Sequence, residues 1–295
     1  MKILYITFFI TVGFRFSFAQ SWTQKADFGA AARRSPMAFS IGDKGYLGLG
    51  YNGSFYRDLW EYDPATDVWT QKADFGGTAR FAGVGFAIGE KGYVGTGYDV
   101  NNNFNTADFW QYDPQNNSWL QVASMPVARR YAAGFAVSGF GYVGTGTGDA
   151  GYLNDFWQYD PVADTWVQKP NFPGDPRYEC VAFAVSDLGY IGIGAYAGTL
   201  YHDFYEYNPE TDSWAQRADY PGAGQDAASG FGLKDKGYIG GGSNQVNDFS
   251  DFWEWDQQTD VWTQLDDFPG TPRSYGMGLK ILNKGYMGIG GVQPY

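Results

Sequence analysis

Six tryptophans, Trp22, Trp69, Trp119, Trp166, Trp214 and Trp262, stand 47, 50, 47, 48 and 48 residues apart, and this spacing constrains the chain more than any other feature. A second marker keeps the same step: Gly-Tyr pairs end at Tyr46, Tyr93, Tyr142, Tyr190, Tyr238 and Tyr286, separated by 47, 49, 48, 48 and 48 residues. A third, Asp-Leu-Trp-Glu-Tyr-Asp-Pro at residues 58–64, recurs at 108–114, 155–161, 203–209 and, with Gln257 in place of Pro, from Asp251. Three markers in register exclude two unrelated domains. A period near 50 residues signals a propeller or an array of stacked units.

Each unit reads as four short strands. Between Arg80 and Trp119, residues 81–88 are small and apolar and end in the turn Gly89-Glu90-Lys91-Gly92; residues 93–97 alternate large and small; residues 108–113 carry Phe109, Trp110 and Tyr112; and residues 118–123 carry Trp119. The first strand, continuous in small apolar residues, is expected to be buried on both faces. An aromatic share of 19% and 42 glycines against 13 prolines agree with strands joined by many turns. One such sheet cannot bury both its faces alone, so the units must stack, and closing them into a ring removes the exposed end sheets. The expected fold class is all-β, a β-propeller of four-stranded antiparallel blades.

Composition then excludes much chemistry. The net charge of -12 repels phosphate backbones and anionic headgroups, so no nucleic acid partner is expected. One cysteine (Cys180) and one histidine (His202) exclude disulfides within the chain, cysteine-rich zinc sites and multi-histidine metal sites. Residues 1–19, one Lys, a long apolar run and then Ser17-Phe18-Ala19, read as a signal peptide, leaving a secreted, periplasmic or cell-surface propeller over residues 20–295. Arg15 interrupts the apolar run, which argues against a membrane-spanning helix, and no later stretch is apolar enough for membrane insertion. Loss of Lys2 and Arg15 takes the net charge to -14.

The chain resembles the kelch-repeat propellers, the superfamily that includes galactose oxidase. The resemblance rests on the strand-ending Tyr46-Leu47-Gly48-Leu49-Gly50 and its equivalents through Gly290-Gly291, the Trp-Glu-Tyr-Asp-Pro run, the Trp five residues after that Pro, and an Arg before each first strand, over essentially all of residues 20–295. Most copies show Gly-x-Gly; the family's Gly-Gly doublet stands only at 240–242 and 290–291. Counted from Trp22, the chain holds one fourth strand, five complete sets, and then only a first strand (276–282) and a second (285–291), 23 in all. The resemblance implies a six-bladed ring whose closing blade is shared by both termini. Here that blade should lack one strand, leaving a lane about 4.7–4.9 Å wide, unless the natural chain continues past Tyr295.

On each blade, the loop between strands two and three and the loop from strand four onward emerge on one face, and both are long. The residue thirteen before each Gly-Tyr tyrosine is Arg33, Arg80, Arg129, Arg177, Gln225 and Arg273. A row so repetitive is expected to serve the fold, for instance by pairing with Asp27, Asp74, Asp219 and Asp267. The resemblance leaves a second reading, since kelch modules that bind acidic peptides do so with arginines here. The next row, Arg34, Phe81, Arg130, Tyr178, Asp226 and Ser274, has no consensus and is where specificity is expected. The loops between strands two and three add Tyr51, Tyr56, Tyr98, Tyr152, Tyr196 and His202 beside several amides. That mixture suits a sugar or a protein surface, and it also suits blade seams and turns.

The same residues bound the enzymatic chemistry open to the chain. The copper radical chemistry of galactose oxidase needs two histidines, and His202 is alone. The resemblance to kelch sugar epimerases leaves metal-free acid–base chemistry open, with Asp226, Glu179, Asp149 and His202 as the nonrepeating candidates. A Ser-His-Asp device would have to use His202, whose loop reads more simply as an exposed aromatic turn. The oxygen-rich run 99–105 lacks the glycine and terminal glutamate of an EF-hand, and Cys180 reads as a buried thiol on a first strand. The expected function is a secreted, monomeric binding module, without cofactor, for a carbohydrate or an extracellular protein. The alternative is a sugar-active enzyme of the epimerase (mutarotase) or lyase type.

Overall fold

In the computed structural model, residues 21–292 are described; the expected signal peptide, residues 1–19, lies outside them. Each repeat folds as an antiparallel sheet with its strands in chain order. The first blade is Met37–Ile41, Lys44–Gly48, Leu59–Asp63 and Val68–Lys72. The second is Val84–Ile88, Lys91–Gly95, Phe109–Asp113 and Ser118–Val122. The third is Ala133–Val137, Phe140–Gly144, Phe156–Asp160 and Thr165–Lys169. The fourth is Val181–Val185, Leu188–Gly192, Phe204–Asn208 and Ser213–Arg217. The fifth is Ser229–Leu233, Lys236–Gly240, Phe252–Asp256 and Val261–Leu265. First strands pack side by side around the axis.

The propeller has five blades, which corrects the six-bladed expectation. The sixth repeat forms only a two-stranded hairpin, Met277–Ile281 with Lys284–Gly288, and residues around Trp22 form no strand. The reason lies in the sequence: residues 287–292 carry no Asp-x-Trp-x-Tyr-Asp segment, so among the described residues the hairpin meets no third strand. The hairpin still fills the gap in the ring, because its first strand packs between the first strands of blades five and one. Trp22 seals the outside. Each repeat tryptophan donates its indole N–H to the carbonyl four residues beyond the preceding one, from Trp69 to Ala26 (3.3 Å) through Trp262 to Ala218 (2.9 Å), and Trp22 donates to Asp266 (3.1 Å).

Local chemistry explains the other markers. The glycine of each Gly-Tyr pair receives a side chain from the preceding unit, an aromatic ring in five copies and Ile281 with Leu279 at Gly45; a Cβ on Gly189 would sit 2.0 Å from the Phe135 ring. The Gly-x-Gly ends strand two with two left-handed residues, Leu49 (φ 57) and Gly50 (φ 98) in the first copy, and a φ near 100° is open to glycine alone. In this register the doublet is Gly241-Gly242 in the fifth copy, while in the sixth the pair is Ile289-Gly290 and Gly291 falls one residue late.

The repeated arginines are structural, but with partners other than those expected. Arg33, Arg80, Arg129 and Arg177 are buried and grip Asp58, Asp108, Asp155 and Asp203, the residues immediately before the third strands. Arg129 donates to both Asp155 oxygens at 2.7 Å and to the Thr145 carbonyl at 2.9 Å. Asp74 instead lies 3.7 Å from Arg57, and Asp267 accepts from Ser250. Blade five shows the compensation where Gln225 replaces Arg. Tyr220 takes the place held elsewhere by Phe75 or Phe172, and its hydroxyl donates to Asp251 (3.1 Å) while accepting from Gln225 Nε2 (3.0 Å). Burial pushes the Asp251 carboxyl up against the hydrogen bonds from Trp253 and Tyr220.

Candidate functional site

The variable row lies at the entrance to the propeller axis. Arg34, Phe81, Arg130, Tyr178, Asp226 and Ser274 each bridge to the loop after strand two, at Tyr51, Tyr98, Thr147, Ala195, Ser243 and Gly291. One residue further on, Ser35, Ala82, Tyr131, Glu179, Ala227 and Tyr275 are all left-handed, with φ between 49° and 58°. Their backbones close a ring of six hydrogen bonds: Ser35 N–H donates to Tyr275 (2.8 Å), Ala82 to Ser35 (3.1 Å), Tyr131 to Ala82 (2.7 Å), Glu179 to Tyr131 (3.1 Å), Ala227 to Glu179 (3.2 Å) and Tyr275 to Ala227 (2.9 Å). Left-handed non-glycine residues cost energy unless the surroundings over-determine them, and here the ring does. Below it runs a cavity of ≈ 160 Å³ lined by small residues, Gly83, Ala132, Ala228 and Gly276 among them, and by Cys180, whose thiol burial pushes up to about 12.

An aromatic arc surrounds the throat. Tyr51 stacks on Phe55 (4.6 Å between centroids), Phe81 meets Tyr51, Tyr98 and Tyr131 (each 5.9 Å), and Tyr131 meets Tyr178 (6.2 Å) and Tyr275 (6.1 Å). Tyr178 stacks on Tyr152 (5.2 Å), which meets Tyr196 edge-on (5.2 Å). Two cations are set into the arc: Arg34 lies over Tyr51 (5.1 Å) and Tyr275 (5.9 Å), and Arg130 over Tyr98 (4.8 Å). Arg130 also donates to Asn105 (3.0 Å), which donates to Asp149 (2.7 Å).

Two carboxyls complete the site. Burial pushes the Glu179 carboxyl well above the usual range, the Asp226 charge pushes the same way, and Tyr275, Arg34 and Arg130 pull back less strongly. The Tyr275 hydroxyl donates to Glu179 at 3.2 Å. Burial likewise raises Asp226 against the hydrogen bond from Gln245 (3.0 Å). The Tyr178 hydroxyl is pushed up to about 12, first by burial and then by the Glu179 and Asp226 charges.

A carboxyl raised on folding binds its proton more tightly in the folded state, so stability falls as pH climbs from the ordinary glutamate range, near 4, to the elevated folded value, and is flat beyond. We expect Glu179→Gln to flatten this decline: equal to the parent protein at pH 4 and more stable at pH 8. Urea titrations at both pH values check this; a Glu179→Gln protein less stable at pH 8 would contradict it.

The remaining expected residues lie elsewhere on the face. Tyr56 covers the buried Arg33 guanidinium (3.7 Å) and donates to Asn52 (2.7 Å). His202 is exposed, its Nδ1 3.1 Å from the Tyr220 carbonyl, and its neighbour Asp203 is held by Arg177. Asp99 accepts from Asn102 within its own loop, and the described residues contain no group of three His, Cys, Asp or Glu able to hold a metal. A wider depression of ≈ 590 Å³ lies off the axis, lined by Arg57, Thr78, Asn101, Asp108 and Trp110, with Asp108 already held by Arg80. Tyr131 and Tyr275 were missed as site residues. They share a repeat position with Glu179, one step beyond the variable row, and that position was the available signal.

Sheets of four strands around an axis, buried arginines at the strand entrances and a variable mouth define a kelch-type β-propeller. The chain belongs to the kelch-repeat family: the model of the KLHDC2/KLHL20/DRC7 Kelch-repeats domain matches residues 78–230. A solved structure described as "Structure of YjhT" is similar in fold, with a TM-score of 0.78 over 89% of this chain and 92% of that one, at 18% sequence identity. A search of curated proteins finds no match. Membership supports a binding module or a sugar-active protein in general terms. No helix among the described residues is long and apolar enough to cross a membrane.

Proposed function

We propose that this protein is a secreted carbohydrate-binding module and that the propeller mouth is its ligand site. The observation that carries this reading is the unbroken aromatic arc from Tyr51 to Tyr178, with Arg34 and Arg130 stacked in it. Flat rings cover the apolar face of a sugar, and guanidinium groups donate in fixed directions to its oxygens. Extended sites for a protein partner are usually larger and flatter than a throat walled by six left-handed residues. A glycan array is the test. Saturable binding of a glycan family, lost together in Arg34→Ala, Arg130→Ala and Tyr178→Ala, supports the reading; binding unchanged in all three moves the site elsewhere, and array silence beside capture of an extracellular protein at this face replaces it.

A second reading, acid–base chemistry on a sugar, is favoured by one specific observation. Glu179 and Asp226 are two carboxyls within electrostatic reach at one concave mouth, both raised by burial. A carboxyl that keeps its proton near neutrality can hand it to a sugar oxygen while a neighbouring group accepts one. Anomeric exchange of reducing sugars followed by NMR, with Glu179→Gln and Asp226→Asn as controls, separates turnover from binding.

A further inference from the structure

Blade five closes without a guanidinium, and its hydrogen bonds do not balance. In blade three, Arg129 donates to both Asp155 oxygens (2.7 Å each) and to the Thr145 carbonyl (2.9 Å), while Trp157 donates to Asp155 Oδ2 (2.7 Å). In blade five, Gln225 Nε2 takes over the carbonyl role, donating to Gly241 (2.8 Å), and Trp253 still donates to Asp251 Oδ2 (2.8 Å). The second hydrogen on Nε2 goes to the Tyr220 hydroxyl (3.0 Å), and that hydroxyl gives its own to Asp251 Oδ2 (3.1 Å). Every donor is then spent. Gln225 Oε1 and Asp251 Oδ1 are left over, both buried and both without a hydrogen-bond partner among the described residues. Turning the amide over does not help, because Oε1 would then face the Gly241 carbonyl.

Two buried acceptors tied to one hydroxyl need a hydrogen between them, and the surroundings supply none. His202, from the loop of blade four, meets the Tyr220 carbonyl (3.1 Å). Asp267, at the entrance to the hairpin, is a second acid and accepts from Ser250 (3.2 Å). Arg273, from the same entrance, donates its side chain to the Thr271 and Ile289 carbonyls, and its own carbonyl accepts from Gly242 (2.9 Å). An ionised Asp251 would thus be a buried charge lacking the cation that neutralises its counterparts.

We propose that Asp251 keeps a proton on Oδ1 in the folded protein and donates it to Gln225 Oε1, so that blade five is locked by a carboxylic acid where blades one to four use an ion pair. One proton satisfies both oxygens and removes the buried charge. Burial, and less strongly the Asp267 charge, push this carboxyl up against the hydrogen bonds from Trp253 and Tyr220. The lock is therefore pH-sensitive. A folded pKa above the unfolded one contributes stability that is complete below the unfolded value, near 3.9, and is lost as pH climbs through the folded value. Gln225 precedes Asp226 of the variable row, and its carbonyl accepts from Gly194 (3.2 Å), so the seam that loosens is the one between blades four and five at the mouth.

Infrared difference spectroscopy at pH 5.5 reads the proton directly, since an ordinary aspartate is about 98% ionised there. The expected result is a protonated-carboxyl C=O band in the parent that Asp251→Asn removes and Glu179→Gln leaves in place. Asp251→Asn keeps the shape and offers an N–H where the acid offers an O–H. Its melting midpoint should stay within about 2 °C of the parent at pH 5.5 and rise above it at pH 8, whereas Asp155→Asn, the same change opposite a guanidinium, should lose at least about 6 °C. Tyr220→Phe combined with Gln225→Arg rebuilds the arrangement of blades two and four and should lose the band as well. The proposal is overturned if no such band separates the parent from Asp251→Asn, the result for a carboxylate bridged by a buried water, or if Asp251→Asn costs as much as Asp155→Asn at pH 5.5.

Discussion

Arg80→Gln is expected to lower the free energy of unfolding at pH 7 by about 3 kcal/mol, the scale of stripping one partner from a buried ion pair. Arg80 is 2% exposed and holds both Asp108 oxygens (2.6 and 3.0 Å), the Thr106 hydroxyl (2.8 Å) and the Thr96 carbonyl (3.3 Å). Removing the guanidinium leaves a carboxylate in a site that raises its pKa by burial; in the parent protein the Arg80 hydrogen bonds and charge overcome that, and Asp108 lies below its usual range. A depressed folded pKa contributes stability above the unfolded pKa and loses it as pH falls through the folded one, so the deficit should shrink on acidification below about 4.

Blade five then supplies the repair. Gln225 and Tyr220 there replace the Arg and Phe found together in blades one, two and four. Adding Phe75→Tyr to Arg80→Gln should recover part of the loss, because the tyrosine hydroxyl can donate to Asp108 as Tyr220 donates to Asp251. Phe75→Tyr alone should be destabilising, since its hydroxyl would enter a site already filled by the guanidinium over the Phe75 ring (5.2 Å). A double-mutant cycle in urea measures the coupling; additive effects would mean that the two positions do not communicate.

How far the sequence reached depended on whether a feature repeats. Trp22 to Trp262, the Gly-Tyr tyrosines and the Asp-x-Trp runs share a period, so the sheet, its strand order and the long-loop face were legible. The same periodicity hid the arginine partners: Asp74 and Asp58 belong to the same repeat, spacing cannot choose between them, and only the fold turns the third-strand Asp toward the guanidinium. Blade number failed for a related reason. A tryptophan with the right spacing can take its place in the ring of indole hydrogen bonds without its neighbours forming a ladder, as Trp22 does. Glu179, Tyr131 and Tyr275 share one repeat position but differ in residue type, so the ruler marks the position and not the chemistry that meets there. Their convergence comes from the ring of left-handed backbones, which only closure around the axis creates. His202, the most conspicuous residue by composition, lies on the rim, away from the throat.

For the glycan that the array identifies, Tyr178→Ala is expected to weaken binding by about 30-fold, roughly 2 kcal/mol, the cost of truncating a central aromatic anchor. Tyr178 is half-buried, with ring contacts to Tyr131 and Tyr152, so the fold should tolerate the change. Arg130→Ala should cost about tenfold, and its effect should shrink with added salt if the ligand is an anion, because a partly exposed charge is screened within about 10 Å at 0.1 M. Tyr56→Ala provides the contrast. Although Tyr56 stands on the same face, it roofs Arg33, so its loss should lower thermal stability and leave glycan affinity unchanged. Isothermal titration and thermal melts on the three variants separate these outcomes. Were Tyr56→Ala to abolish affinity while Tyr178→Ala did not, the ligand would sit on the outer rim over blade one, and the aromatic throat would be part of the scaffold.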